Sequence, residues 1–346
     1  MRRRGRAGGT PRRRASVRRS IGGGGRRVNS RAAHRVPRSP NRLVRVARPS
    51  DLLVPALGGA LFALIAGLVG ARAAGLGVGL AVGLGVWAGV LGWALRRPLR
   101  RLRVARRALP QASRDWIADH VRLYGTLDDR GRRRFERDVA FALDGLTFEG
   151  AGGAKATDEL RLMVAAGAAL LLHGRPDWEL PTERTVLLVP DTFDEAYGDE
   201  EPGVYDGMVH HQGPIVLSTR AVQDGWAYED GHNVVLHELA HVFDFEGWEA
   251  DGVPSFLDPR SAEAWTTLMR REMRRAERGQ GVLRAYAASA PAELFAVATE
   301  QFFERPARLR NHHSELFDAL VAFYNLTPPD EPELGAGESL MSRRWS

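Results

Sequence analysis

The sequence predicts an α+β protein, mostly helical with a small sheet, preceded by a transmembrane helical hairpin. Three observations carry this. Two uncharged apolar runs, Leu52–Ala71 and Ala73–Leu95, lie between arginine-rich flanks. Beyond them, only Thr185–Val189 and Pro214–Ser218 read clearly as strands, set among longer segments with apolar residues at helical spacing. The stretch richest in chemistry, Asn233–Asp244, is itself helical in pattern.

Charge divides the chain. It has 346 residues and a formal net charge of +7, yet residues 1–107 hold 25 arginines against one acid, Asp51, leaving 24 basic and 41 acidic groups for the remainder. The alkaline character belongs to the N-terminal third alone. The absence of cysteine excludes disulfides and thiolate metal sites, so any metal must rest on histidine and carboxylate.

Residues 1–50 form an Arg-, Gly-, Ser- and Pro-rich arm with too little apolar surface to offset the entropy of ordering, and are expected to be disordered. Such an arm suits nucleic acid or anionic lipid. The apolar runs that follow favour the lipid bilayer as partner over nucleic acid. Each run is long enough, at about 1.5 Å per residue, to cross a hydrocarbon core of about 30 Å, so residues 51–96 are expected to be a two-span hairpin turning near Arg72. Residues 97–108 are a basic juxtamembrane segment. With arginines before the first span and after the second, the positive-inside rule puts both ends, and the domain that follows, in the cytoplasm. A cleaved signal peptide competes, because Ala71-Arg72-Ala73 has suitable small residues, but the basic region before it is too long.

The soluble domain is expected over 109–326, with a flexible tail at 327–346. Pro110–Leu146 reads as packing helices and Phe148–Gly153 as a Gly-rich turn. Thr157 can cap a helix that is apolar nearly all round through Leu172, and therefore buried. The acidic connection Asp191–Gly213 suggests a hairpin around Gly203. Its His210 and His211, adjacent in an extended segment, point to opposite faces and read as ordinary loop residues. The strand before the motif helix could be an edge on which an extended peptide pairs.

In Asn233–Asp244, His237 and His241 stand four apart with Glu238 between them, so both imidazoles leave one helix face and form a two-point clamp for zinc. Glu238 is placed to move a proton between a water and a leaving amine. Asn233, after the Asp230-Gly231 turn, is a good N-cap. A catalytic zinc usually takes a third protein ligand. Asp244 would point alongside His241 and suits an orienting role; Glu246, Glu249 and Asp251 lie in a loop where solvated acids are ordinary. After a charged amphipathic helix from about Ser261 to Arg278, a second helix begins at Ser289 or Ala290, with Pro291 in its first turn and Glu293 and Glu300 on one face. Position leaves two readings of Glu293, capping and metal ligation.

Five stretches resemble the Mlc titration factor A peptidases: Phe148–Gly153, Thr157–Leu162, Asn233–His241, Ala250–Pro254, and Tyr286 through Glu293 into Phe295–Glu300. The matches keep their order across roughly residues 128–324. The resemblance implies a zincin-like catalytic domain and a cytoplasmic zinc aminopeptidase-like activity. It implies His237, His241 and Glu293 as Zn2+ ligands, Glu238 as acid/base, and Tyr286 as a donor to the developing oxyanion. Gly167 and Ala169 stand where the family's buried helix usually carries Gln and Cys, and many members lack a double-span anchor. Some members bind a glucose-responsive transcriptional repressor. The expected function is thus a membrane-anchored metallopeptidase acting on a peptide or protein substrate. The alternative is a zinc-fold binding module that captures a transcriptional repressor or other regulatory partner, with incidental cleavage.

Overall fold

Helices α1 (Pro49–Ala74) and α2 (Leu76–Ala105) pack side by side in opposite directions. This computed structural model describes residues 49–176, 178, 184–191, 193–194, 204–209, 213–244 and 259–332, all within the unit 39–346. The arm therefore lies outside the described residues except for its last two. The chain reverses at Gly75, not at Arg72, which stays in the last turn of α1. Gly75 has a φ of +92°, a region that side chains disfavour, so the break falls where the residue type permits it. Glycines also set the helix contact: a Cβ on Gly83 would come within 2.9 Å of the Ala63 carbonyl oxygen. Large apolar side chains, among them Leu57, Leu61, Phe62, Leu68 and Leu84, face outward. Both helices are long and apolar enough to cross a membrane.

Helix α2 does not end with the apolar run. It continues through the basic segment to Ala105, because Arg and Leu favour helix and Pro98 is accommodated without a break. This extension docks on α5 (Asp129–Gly145), which follows α3 (Gln111–His120) and α4 (Arg122–Thr126). Arg100 donates from Nε to Asp144 Oδ1 at 3.0 Å and from Nη2 to the Asp144 carbonyl at 2.6 Å, and Arg101 lies 5.2 Å from the Phe141 ring centre.

Asp128 caps α5, and the Thr157 hydroxyl caps α6 (Asp158–Leu172) by accepting from the Leu160 amide. Helix α6 is buried throughout from Leu162 to Leu172, as its all-round apolar sequence requires.

The sheet is small and mixed. Strand β1 (Thr147–Gly150) pairs in parallel with β2 (Thr185–Val189), so the Gly-rich turn expected at Phe148–Gly153 holds for Ala151–Gly153, where Gly152 and Gly153 have positive φ, while Phe148–Gly150 is strand instead. Four residues without alternation carry no local strand signal; the pairing with β2 makes them one. Strands β3 (Phe193–Asp194) and β4 (Val204–Tyr205) pair antiparallel across residues 195–203, so a hairpin is present in the connection but Gly203 directly precedes β4 instead of standing at its middle; 195–203 lie outside the described residues. Strand β5 (Gly207–Val209) runs antiparallel to β6 (Ile215–Ser218), which is parallel to β2, giving the order β1-β2-β6-β5. The strand before the motif helix, β6, is thus internal, and β1 and β5 are the outer strands among the described residues. His210 and His211 lie outside the described residues.

Helix α7 (Thr219–Ala227) leads to the motif helix α8 (Val234–Asp244). Helices α9 (Pro259–Glu277), α10 (Pro291–Glu304), α11 (Pro306–His312) and α12 (Ser314–Tyr324) complete the domain, with a 3-10 turn at Ala285–Ala288. Their core is aromatic: Trp265, Phe295, Phe302, Phe303, Phe323 and Tyr324 pack ring against ring. Part of the segment expected to be a flexible tail is held: Glu331 accepts from the Ala307 and Arg308 amides at the start of α11, and Asp330 pairs with Arg310.

Candidate metal centre

The centre is built where α8 crosses α10. Asn233 starts α8 as an N-cap, its Oδ1 accepting from the Leu236 amide at 3.2 Å. The same residue ties the helix start to its surroundings. Its amide donates to Glu300 Oε2 at 2.7 Å, and its Nδ2 reaches the Gly225 carbonyl at 2.8 Å and Glu304 Oε1 at 3.1 Å. The preceding turn passes through Gly231 at a φ of +87°, and the Gly231 amide donates to Glu304 Oε2 at 2.8 Å.

The helical spacing brings the His237 and His241 rings to 4.9 Å between centres. Glu293 comes from the first turn of α10 and makes no bond to that helix start. Its carboxylate instead lies 3.1 Å from His237 Nε2 and 3.5 Å from His241 Nε2. One donor atom from each of the three residues falls within 4.8 Å of the others, a set that can hold a metal ion. Two imidazoles and a carboxylate suit a borderline divalent cation.

Behind this set, His237 Nδ1 lies 2.7 Å from Glu300 Oε1, and Arg284 donates to both oxygens of the same carboxylate, at 2.7 and 3.2 Å. Arg284 and Nδ1 are both donors here, so Glu300 is the acceptor they share. Burial pulls the His237 imidazolium down, but the surrounding Glu300, Glu293 and Glu238 outweigh it and hold the group up at about 10. Burial alone would raise Glu293; its hydrogen bonds and charges from the two histidines keep it well below the usual carboxylate range. Glu300 is held low against its burial chiefly by the His237 charge and bond, then by Arg284. Burial pushes Glu238 up, with the two histidines opposing. The pocket is one that favours positive charge between its carboxylates.

Glu238 lies beside His237 in a cavity of about 760 Å³ lined also by Gly207, Asp230, His232, Arg284, Tyr286 and Glu300. Strand β5 passes so close that a Cβ on Gly207 would sit 2.6 Å from Glu238 Oε1 and 2.6 Å from Val234 Cγ2. Tyr286, half-exposed in the 3-10 turn, has its ring centre 6.2 Å from that of His237 and 5.9 Å from Arg284 Cζ.

The described residues thus bring together His237, Glu238, His241, Glu293 and Tyr286. The Asp244 side chain and residues Glu246, Glu249 and Asp251 lie outside what is described. Gly167 and Ala169 are away from the cavity: Gly167 marks the crossing of α6 over α8, where a Cβ would meet Val235 Cγ1 at 2.6 Å. Sequence reasoning did not assign Glu300 as partner of His237, nor Glu304, Arg284 or Gly207. Glu293, Glu300 and Glu304 share the 7-and-4 spacing of one helical face, which is the available signal for the acids. Arg284 and Gly207 have no local signal.

The profile of the family described as glucose-regulated metallo-peptidase M90 matches residues 95–325 of this chain. An uncharacterized protein of Synechocystis is 29% identical over 237 residues, which cover 64% of this chain and 86% of that protein. Mlc titration factor A of Serratia proteamaculans is 30% identical over 229 residues, covering 60% of this chain and 85% of the relative. That of Yersinia enterocolitica is 33% identical over 159 residues, covering 41% and 59%. The apolar hairpin lies before the matched region, apart from the last part of α2.

Proposed function

The chain belongs to the glucose-regulated metallo-peptidase M90 family, and from that premise we propose that it is a membrane-anchored, zinc-dependent metallopeptidase with aminopeptidase-like action and a zincin-like catalytic domain. The observation that carries this is the convergence of His237, His241 and Glu293 donor atoms within 4.8 Å, beside Glu238 and a cavity large enough for a peptide segment.

His237, His241 and Glu293 would hold the zinc, which when bound polarises the scissile carbonyl and acidifies a water. Glu238 takes the proton of the attacking water and returns it to the leaving amine. Its buried setting, which favours the neutral carboxyl, suits the second half of that task. Glu300 fixes the tautomer of His237 by accepting from Nδ1, leaving Nε2 for the metal. Arg284 and the Asn233 amide hold Glu300 in turn. Tyr286, on the cavity wall, is a hydroxyl donor for the oxyanion.

The hairpin 51–96 is the proposed anchor, with the basic segment 97–108 and the domain 109–326 on the cytoplasmic side, following the arginine distribution. The arm 1–50 is an appendage in this scheme, and its proposed partner is anionic lipid.

A second reading follows from the relatives' name, Mlc titration factor A, which describes them by a regulator they titrate. In it the chain uses its metal fold to capture a regulatory partner. The full-length protein in detergent separates the two. Wild type is expected to hold one zinc and cleave peptides with a free amino terminus. Glu238→Gln should hold zinc without cleaving, and Glu293→Ala should lose zinc. Zinc without any cleavage would move the capture reading ahead, and wild type without zinc would overturn the site assignment.

A further inference from the structure

We propose that His232 binds substrate, offering its Nε2–H to a backbone carbonyl of the peptide in the cavity; this rests on the metallopeptidase reading above. His232 stands on the cavity wall that also carries His237, Glu238 and Tyr286. Its Nδ1 is 2.7 Å from Arg284 Nη1. A guanidinium only donates, so Nδ1 presents its lone pair and the ring hydrogen of the neutral imidazole is on Nε2.

The ring is fixed although the residue is exposed. Arg284 is itself held by both oxygens of Glu300, and the His232 amide donates to Asp230 Oδ1 at 2.9 Å. His232 is therefore tied to the same carboxylate that orients His237. Its Nε2 makes no hydrogen bond among the described residues, which leaves one pre-oriented donor at the cavity.

Charge selects the ligand class. Asp191, Asp206, Asp224 and Asp230 line the same cavity, while Arg220 lies between Asp191 and Asp224 at 3.9 and 3.7 Å and Arg284 is engaged by Glu300. Among the described residues, both arginines of the cavity, Arg220 and Arg284, are thus engaged by carboxylates, and a terminal carboxylate beside His232 would meet an acidic wall. A neutral carbonyl oxygen fits a single fixed N–H donor.

The test uses the full-length zinc-loaded protein in detergent with tetra-alanine as the probe peptide. His232→Ala is expected to raise KM about three- to tenfold, the loss of one net hydrogen bond, with kcat and zinc content unchanged. His232→Gln, which keeps a donor, should recover most of the loss. An unchanged KM, a fall in kcat alone, or a loss of zinc would overturn the proposal. If wild type cleaves nothing, the peptidase reading fails on its own, and calorimetric binding of tetra-alanine to Glu238→Gln with and without His232→Ala decides. A threefold to tenfold weaker Kd sustains the role of His232; equal affinity, or no binding to either, overturns it.

Discussion

Glu300 accepts four hydrogen bonds on two oxygens, from His237 Nδ1, the Asn233 amide and both terminal nitrogens of Arg284. A buried carboxylate so satisfied is a rigid support for a ligand imidazole. Glu300→Ala is accordingly expected to weaken zinc binding by about 10- to 100-fold, measured by competition with a chromophoric chelator. Equal affinity would remove Glu300 from the site. Glu304, four residues on, behaves differently. Burial, with the negative charges of Glu300 and Asp230 beside it, pushes it up to about 8 despite bonds from Asn233 and Gly231. Because the folded state then binds the proton more tightly than the unfolded state, this group's contribution falls as pH rises from about 4.3, the ordinary value, to about 8, and is level beyond. Thermal melts across that range should show a downward slope that Glu304→Ala flattens; an identical slope would refute the assignment. At this scale the metal-facing residues were legible and their supports only partly so. The motif puts His237 and His241 one turn apart on a single helix, whereas Arg284 reaches Glu300 from a separate loop and no spacing rule connects them.

Among the elements, α8 is fixed by what packs on each side of it. Strand β5 leaves no space at Gly207 for a side chain. Gly207→Ala should displace the Glu238 carboxylate and lower kcat at least about tenfold while zinc stays bound, since general acid–base help is worth roughly 10² to 10⁴ and depends on geometry. Retained kcat would show that the strand yields instead. On the opposite side Gly167 lets α6 approach Val235. Gly167→Ala is expected to cost about 1–3 kcal/mol by overpacking, read as a lower melting temperature with little change in KM. The helices here were readable because their caps and periodicities are local: Asn233, Thr157 and Pro291 stand where they were expected. Strand β1 and the edge position of β5 were not, because a strand of three or four residues is defined by its partner.

At the scale of the molecule, the continuity of α2 joins the apolar hairpin to the domain that carries the metal set. The Arg100–Asp144 contacts and the stacking of Arg101 on Phe141 lie on this junction, and Leu109, just beyond it, is already buried in the core. If the hairpin anchors the protein, it should remain in the membrane fraction after alkaline extraction, and deletion of residues 49–95 should release it. Release of the intact chain by alkali would reject the anchor. The family match begins at residue 95, where α2 turns basic.

The sequence alone was enough for the apolar hairpin, the helix caps, the buried helix α6, the family resemblance and the one-faced pair of histidines. Each depends on residues within a few turns of one another, where propensity, spacing and charge act directly. Folding was needed to bring Glu293 and Glu300 from α10, Arg284 and Tyr286 from the preceding turn, and Gly207 from β5 close to His237 and Glu238, and to set Glu304 against the Gly231–Asn233 turn. Those contacts join residues tens of positions apart, and they are set by the packing of α8 against α10, α6 and the sheet, a property of the assembled core that no local pattern records.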